Sequence, residues 1–183
     1  MVYWSELYRE IAERITANLK HVKWVDLWHD QVSYLTEELP FPTPAVFIGF
    51  NTAGTDDTGK KVQQCSTQID MYLFYETFSD TYSGSYNQEQ ALEFLEELTR
   101  LHALFHGKSG VNCSAMRRTD MNREESGGAG NLYRISFECL VTDYSAQELF
   151  AELENPDVEL VVGDEDIPPA GVADEEPMFD TGQ

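Results

Sequence analysis

Basic residues, cysteines and long apolar runs are all scarce in this chain. Twelve Lys and Arg stand against 33 Asp and Glu in 183 residues, for a formal charge of −21 and a pI of about 4.3. A field of that sign repels a phosphate backbone and an anionic bilayer alike, so neither direct nucleic-acid binding nor a membrane partner is expected. The cysteines are three, Cys65, Cys113 and Cys139, widely spaced and with no CxxC pair. That pattern excludes a zinc knuckle and a disulfide framework. It predicts reduced thiols inside strands, acting as small buried hydrophobes in a cytosolic folding environment. No stretch approaches the roughly 20 apolar residues a spanning helix needs. The opening MVYWSELYRE has neither a basic region nor an apolar run, so no signal peptide is expected.

The charge that is present is uneven. Eleven acids and no base fall between Ala151 and Gln183, which leaves 22 acids and all 12 bases, or −10, to residues 1–150. The terminal stretch also holds Pro156, Pro168, Pro169 and Pro177. Such a segment repels itself and buries little, which predicts one domain over 1–150 and an acidic, flexible tail over 151–183. A 42% hydrophobic content is enough to give the domain a packed core.

Periodicity then orders the domain. Trp4, Leu7, Tyr8, Ile11, Ile15 and Leu19 recur at three- and four-residue spacing, the signature of a helix over 3–20 with one apolar stripe. Val22, Trp24, Val25 and Leu27 suggest a short strand over 21–27, followed by loop or a short helical turn over 28–40. Pro40, Pro42 and Pro44 impose an extended approach. The run Ala45–Phe50 is nearly all apolar and reads as a central strand with both faces covered. Residues 51–60, NTAGTDDTGK, read as a turn-rich loop. A long strand over 62–78 places Cys65, Thr67, Ile69, Met71, Leu73 and Tyr75 on one face. A second amphipathic helix spans 88–106, with Ala91, Leu92, Phe94, Leu95, Leu98, Leu101, His102 and Phe105 inward. Asn87 and Gln90 stand at capping-box spacing, and Gly107 suits the position after the helix. Two strand-like runs, 111–125 and 132–142, flank a glycine-rich tip at 126–131 and predict a hairpin. A further short helix is expected over 145–154. These elements predict an α+β fold: a mostly antiparallel sheet of four to five strands, with two main helices on one face.

Few residues invite a chemical role. His102 and His106 are four apart on a helix, but the glutamate of a metalloprotease motif is missing from Ala103-Leu104-Phe105, so a structural role is expected. Gly127, Gly128 and Gly130 lead into a strand, whereas a phosphate cradle leads into a helix N-terminus. Asp26, Asp70 and Glu76 would be needed for a nuclease-like metal cluster, but no lysine stands two residues after any of them. No catalytic residue, cofactor or metal is therefore assigned, and the chain reads as no enzyme. Arg117, Arg118 and Arg123 are candidates of another kind. They hold a quarter of the bases within seven residues. In so acidic a chain they could meet an acidic face on a neighbouring copy; the alternative is a solvated arm.

The order of elements resembles the tail terminator and tail-completion proteins of long-tailed bacteriophages. The match covers residues 3–143: the first helix, Val25-Asp26-Leu27-Trp28, the PFPTPAVFIGF turn and strand, the 64–78 strand, the 88–106 helix, and the hairpin ending in LYRISFECLVTD. The resemblance implies a structural protein that assembles with itself into a ring, usually a hexamer, which caps the tail tube and joins it to the head and neck proteins. It implies a place in the virion, at the tail or head–tail junction, and synthesis in the cytoplasm of a bacterial host. The family has no catalytic or ligand motif to carry over, and the acidic tail departs from it. A second reading is an acidic protein-binding module, or a DNA mimic that inhibits a nucleic-acid enzyme. A mimic needs charges fixed on a folded face, whereas half of the charge here lies in the tail.

Overall fold

The computed structural model describes residues 3–34, 41–76, 81–126 and 130–148. The chain runs α1 (Tyr3–Asn18), β1 (Trp24–Leu27), a 3₁₀ turn (Gln31–Tyr34), β2 (Ala45–Gly59), β3 (Val62–Tyr75), α2 (Gln88–Phe105), β4 (Arg117–Glu124) and β5 (Asn131–Asp143). The strands form one sheet in the order β1-β2-β3-β5-β4. β1 pairs with β2 in parallel and the other three pairings are antiparallel. This is the expected α+β fold. The glycine tip at 127–129 and the tail over 151–183 lie outside the described residues.

The pleat explains the layering. On β3, Cys65, Ile69, Met71 and Leu73 join one core with Val46 and Ile48 of β2 and Ile135, Phe137, Cys139 and Val141 of β5. Leu7, Ile11, Ile15 and Leu19 of α1, and Phe94, Leu98, Leu101 and Phe105 of α2, complete it. Both helices thus cover the same face. The other face carries a smaller cluster of Val32, Ala45, Phe47, Phe74 and Leu132, roofed by Trp28, Phe41 and Tyr72. Trp28 stacks on Tyr72 at 4.0 Å between ring centroids. Ala45–Ile48 are therefore buried on both sides, as a central strand requires.

Several expectations are corrected. Residues 51–59 are strand, not loop. β2 runs on to Gly59, and Lys60-Lys61 make the turn, with Lys61 at φ 62°. The reason is β3, a long strand with two ladder sides: β5 fills one and β2 must extend to fill the other. Thr52, Thr55 and Thr58 are β-branched and suit that role. The register slips between Thr52 and Gly54 and again between Asp57 and Gly59. The first arm of the late hairpin begins only at Arg117, so residues 107–116 are a loop and Cys113 lies outside any strand. Asn87 makes no side-chain cap; Gln88 Oε1 instead accepts the Gly84 N–H at 3.2 Å. Leu95 is 43% exposed and Glu97 is buried in its place. Gly107 does follow α2, with φ 70°.

The 107–116 loop is pinned by α1. Glu10 Oε1 accepts the Val111 N–H at 2.9 Å, and Oε2 accepts the Asn112 N–H at 3.2 Å. Arg14 pairs with Glu10 at 3.2 Å and donates to the Ser109 carbonyl at 3.1 Å. A Cβ on Gly110 would overlap Glu10 Oε1, so only glycine lets the loop come this close.

Two expected outcomes follow from these contacts. Phe137 is fully buried against Phe105, so Phe137→Ala should cost about 3–5 kcal/mol in urea unfolding. Glu10→Ala strips acceptors from two loop amides, for about 1–3 kcal/mol, and should speed hydrogen exchange at Val111 and Asn112 ahead of the strands. Unchanged exchange there would show that Glu10 does not hold the loop.

Candidate assembly surface

The sheet presents two contrasting margins. At the β4 margin every residue from Arg117 to Arg123 is exposed. The structure places the three candidate arginines here but not on one face. Arg117 pairs in register with Glu138 and binds it at 2.9 Å, on the helix-free side. Arg118 stands opposite Phe137 and Arg123 opposite Tyr133, on the helix side. The register shift between Arg118 and Asp120 accounts for the pattern along the strand. Among the described residues neither Arg118 nor Arg123 has a salt bridge.

Backbone groups along this margin are partly occupied. His106 Nδ1 accepts the Arg118 N–H at 3.1 Å, Lys108 O accepts the Met116 N–H at 3.0 Å, and Asp120 Oδ1 accepts the Met121 N–H at 2.9 Å. β1 has the same device, with Asp26 Oδ1 accepting the Leu27 N–H at 2.8 Å. Carboxylates that capture outward amides blunt a sheet edge.

The opposite margin differs. β1 pairs only with Ala45–Ile48, so from Gly49 to Gly59 the outer ladder side of β2 is open among the described residues. Residues 51–60 are exposed on both faces. Half of β2 is thus an arm held straight by β3 while neither of its faces enters the core.

Beyond the cluster around Phe47 and Phe74, the helix-free face is polar and self-bonded. Ser136 Oγ donates to Asp70 Oδ1 and Gln68 Nε2 donates to the same carboxylate at 2.9 Å. Arg134 Nε lies 2.8 Å from Glu124 Oε1, an ion pair whose angle does not make a hydrogen bond. A 670 Å³ groove beside Trp28, Tyr72, Glu124 and Arg134 opens on this face. Periodicity gave no sign of a 300 Å³ cleft between α2 and the sheet end. It is lined by Tyr75, Glu93, Glu97 and Arg100. Glu97 takes Arg100 Nη1 at 2.5 Å on one oxygen, and its other oxygen is buried without a hydrogen bond among the described residues. Glu97 stands three residues after Phe94 and four before Leu101, so helical spacing places it beside the apolar stripe, although its charge type suggests solvent.

The other sequence candidates are dispersed or committed elsewhere. Asp70 and Glu76 are six residues apart along one strand direction, about 20 Å. His102 and His106 are neighbours, with ring centroids 4.8 Å apart and planes tilted by 37°, but His106 Nδ1 is spent on β4. Burial, then the Arg118 and His106 charges, lower the His102 pKa. Cys113 and Cys139 are hydrogen-bonded to each other, and that bond together with burial drives Cys139 up. Among the described residues no group of three or more His, Cys, Asp or Glu could hold a metal, and no helix is long and apolar enough to cross a membrane.

No protein-family profile and no curated protein matches the sequence. Among solved structures, one similar chain belongs to the virion of a native gene transfer agent particle. The similarity covers 75% of this chain and 95% of that one, with a TM-score of 0.44 and 9% identity. It is too distant to carry a role from one chain to the other.

The lowered His102 pKa has a testable sign. A histidine with a folded pKa below its unfolded value stabilises the fold above the unfolded value, and that stability is lost as pH falls through the folded one. His102→Gln should therefore flatten the stability profile below about pH 6.5. An unaltered acid limb in pH-dependent urea melts would remove His102 from the account.

Proposed function

We propose that this chain is a non-catalytic structural component of a phage-type virion that assembles with copies of itself. The specific role is a ring, usually a hexamer in the family it resembles, which terminates the tail tube and joins it to the neck. The observation that carries the reading is the β2 arm. Residues 51–59 are ordered into strand yet exposed on both faces, and a monomer gains little by holding nine residues that way. A neighbouring subunit would supply the missing contacts. The element order noted in the sequence supports the same reading, since the structure realises it from α1 through β5. The acidic-mimic alternative gains no comparable support, because the helix-free face mixes Arg117 and Arg134 with its acids and binds them internally.

Within this reading Arg117, Arg118 and Arg123 contribute to the subunit contact, meeting acids of the adjacent copy. Each exposed pair is worth only about 0.2–1 kcal/mol, so several must act together and added salt should weaken them. Arg118 and Arg123 are the stronger contributors, since Arg117 must first share its own Glu138.

Light scattering coupled to size exclusion should show an oligomer, or one that grows with concentration. Sedimentation of Arg117→Glu/Arg118→Glu/Arg123→Glu beside wild type should show weaker association, with the gap narrowing at high salt. A folded triple variant that associates as well as wild type would remove these arginines from the interface. A wild type that stays monomeric at every concentration would remove the ring.

A further inference from the structure

Two thiols far apart in the sequence meet where the 107–116 loop lies against β5. We propose that Cys113 is a site of oxidation by hydrogen peroxide, and that Cys139 resolves it into a disulfide fastening the loop to β5. The inference does not depend on the assembly reading.

Three observations lead to it. First, the backbone brings the pair together. The Ser114 N–H donates to the Leu140 carbonyl at 2.8 Å, and Ser114 Oγ accepts the Leu140 N–H at 2.8 Å. The residues just before these, Cys113 and Cys139, stand side by side, and their thiols are hydrogen-bonded to each other. Both are free and both belong to the helix-side core. Glu10 and Arg14 hold the loop in place from α1. A disulfide sets its sulfurs about 2 Å apart, so closure from hydrogen-bonding range is a short movement.

Second, one thiol of the pair faces an opening. Val111, Asn112, Cys113 and Ser114 of the loop line a 210 Å³ pocket with Leu140 and Thr142 of β5. A water takes about 30 Å³, so a molecule as small as peroxide can enter. Leu140 and Thr142 alternate with Cys139 along β5, which puts Cys139 on the core side, behind Cys113. The reagent meets Cys113 first.

Third, the two thiols differ as the chemistry requires. The bond from Cys139 holds Cys113 below the ordinary thiol value, assisted by the Gly110 N–H and Arg14, against burial and the Glu10 charge. The same bond, with burial, pushes Cys139 up. Burial and the Asp143 charge also raise Cys65, which stands opposite Val141 on the ladder. The thiolate is the nucleophile, so Cys113 reacts first. Its sulfur attacks one peroxide oxygen, the O–O bond breaks, and a sulfenic acid and hydroxide form. Cys139 Sγ then attacks the Cys113 sulfur, and its proton goes to the departing hydroxyl, which leaves as water. Peroxide is reduced by two electrons and the dithiol is oxidised by two. The bridge ties down the segment that leads into β4.

Stoichiometric hydrogen peroxide added to the folded full chain, followed by alkylation and peptide mapping, tests this. The product should join Cys113 to Cys139 with loss of two hydrogens, leave Cys65 alkylated, and revert with a reducing thiol. The oxidised chain should unfold at higher urea and exchange its amides over 111–116 more slowly. Cys139→Ser should stop at the sulfenic acid, captured on Cys113 by a 1,3-dione. Cys113→Ser should leave Cys139 oxidising about tenfold more slowly than Cys113 does in wild type. The wild-type map decides the matter where either variant fails to fold. A bridge from Cys65, a bridge between chains, or no thiol lost while a free cysteine peptide is oxidised would overturn the proposal. Oxidation with no gain in urea resistance would remove the fastening role and overturn it as well.

Discussion

The alternation of side chains along β3 is the constraint on which the rest of the molecule depends. β3 is the middle strand, and it sets the register of β2 on one side and β5 on the other. Its odd positions feed the helix-side core; its even positions, from Gln64 to Asp70, build the polar face. A slip of one residue would put Ile69, Met71 and Leu73 in water and Asp70 beneath the helices. The polar side reinforces the choice. Asp70 sits beside Ser136 across the ladder and is satisfied by it and by Gln68. A shifted register would leave that carboxylate buried without donors, which costs more than the bonds themselves contribute.

The helices answer to the same face, and through them the sheet's far margin is placed. α1 lays Leu7, Ile11 and Ile15 on the core, which turns Glu10 and Arg14 toward the 107–116 loop. The loop then delivers the chain to β4, and His106 at the end of α2 takes the first outward amide. The arginines of β4 owe their positions to this chain of contacts. They divide between the two faces because the ladder alternates, so they cannot form a single positive patch.

Much of this could be read from the residues. The parity of β3 and β5, the stripes of α1 and α2, the central character of Ala45–Ile48 and the glycine after α2 all rest on periodicity or on one residue's backbone freedom. The misreadings share a cause. Residues 51–59 carry turn-forming types, and local preference alone makes them a loop; a long partner strand overrides it. Leu95 and Glu97 exchange their expected exposure because Arg100 and the cleft beside Tyr75 accept the carboxylate. The Asn87 cap fails because its backbone, at φ −105° and ψ 19°, is outside the extended conformation that aims a capping side chain at the first-turn amides.

The sequence by itself determined the class of fold, the partition of charge between body and tail, and which face of each long element is apolar. These follow from period and composition, which are properties of the chain alone. Only the tertiary structure decided which strands are neighbours, which edge is left open and which amides are guarded. Those depend on pairings between residues far apart in the chain, such as Glu10 with Asn112 or Ser136 with Asp70. No local pattern encodes such a pairing, because its energy exists only once both segments have been brought to the same place.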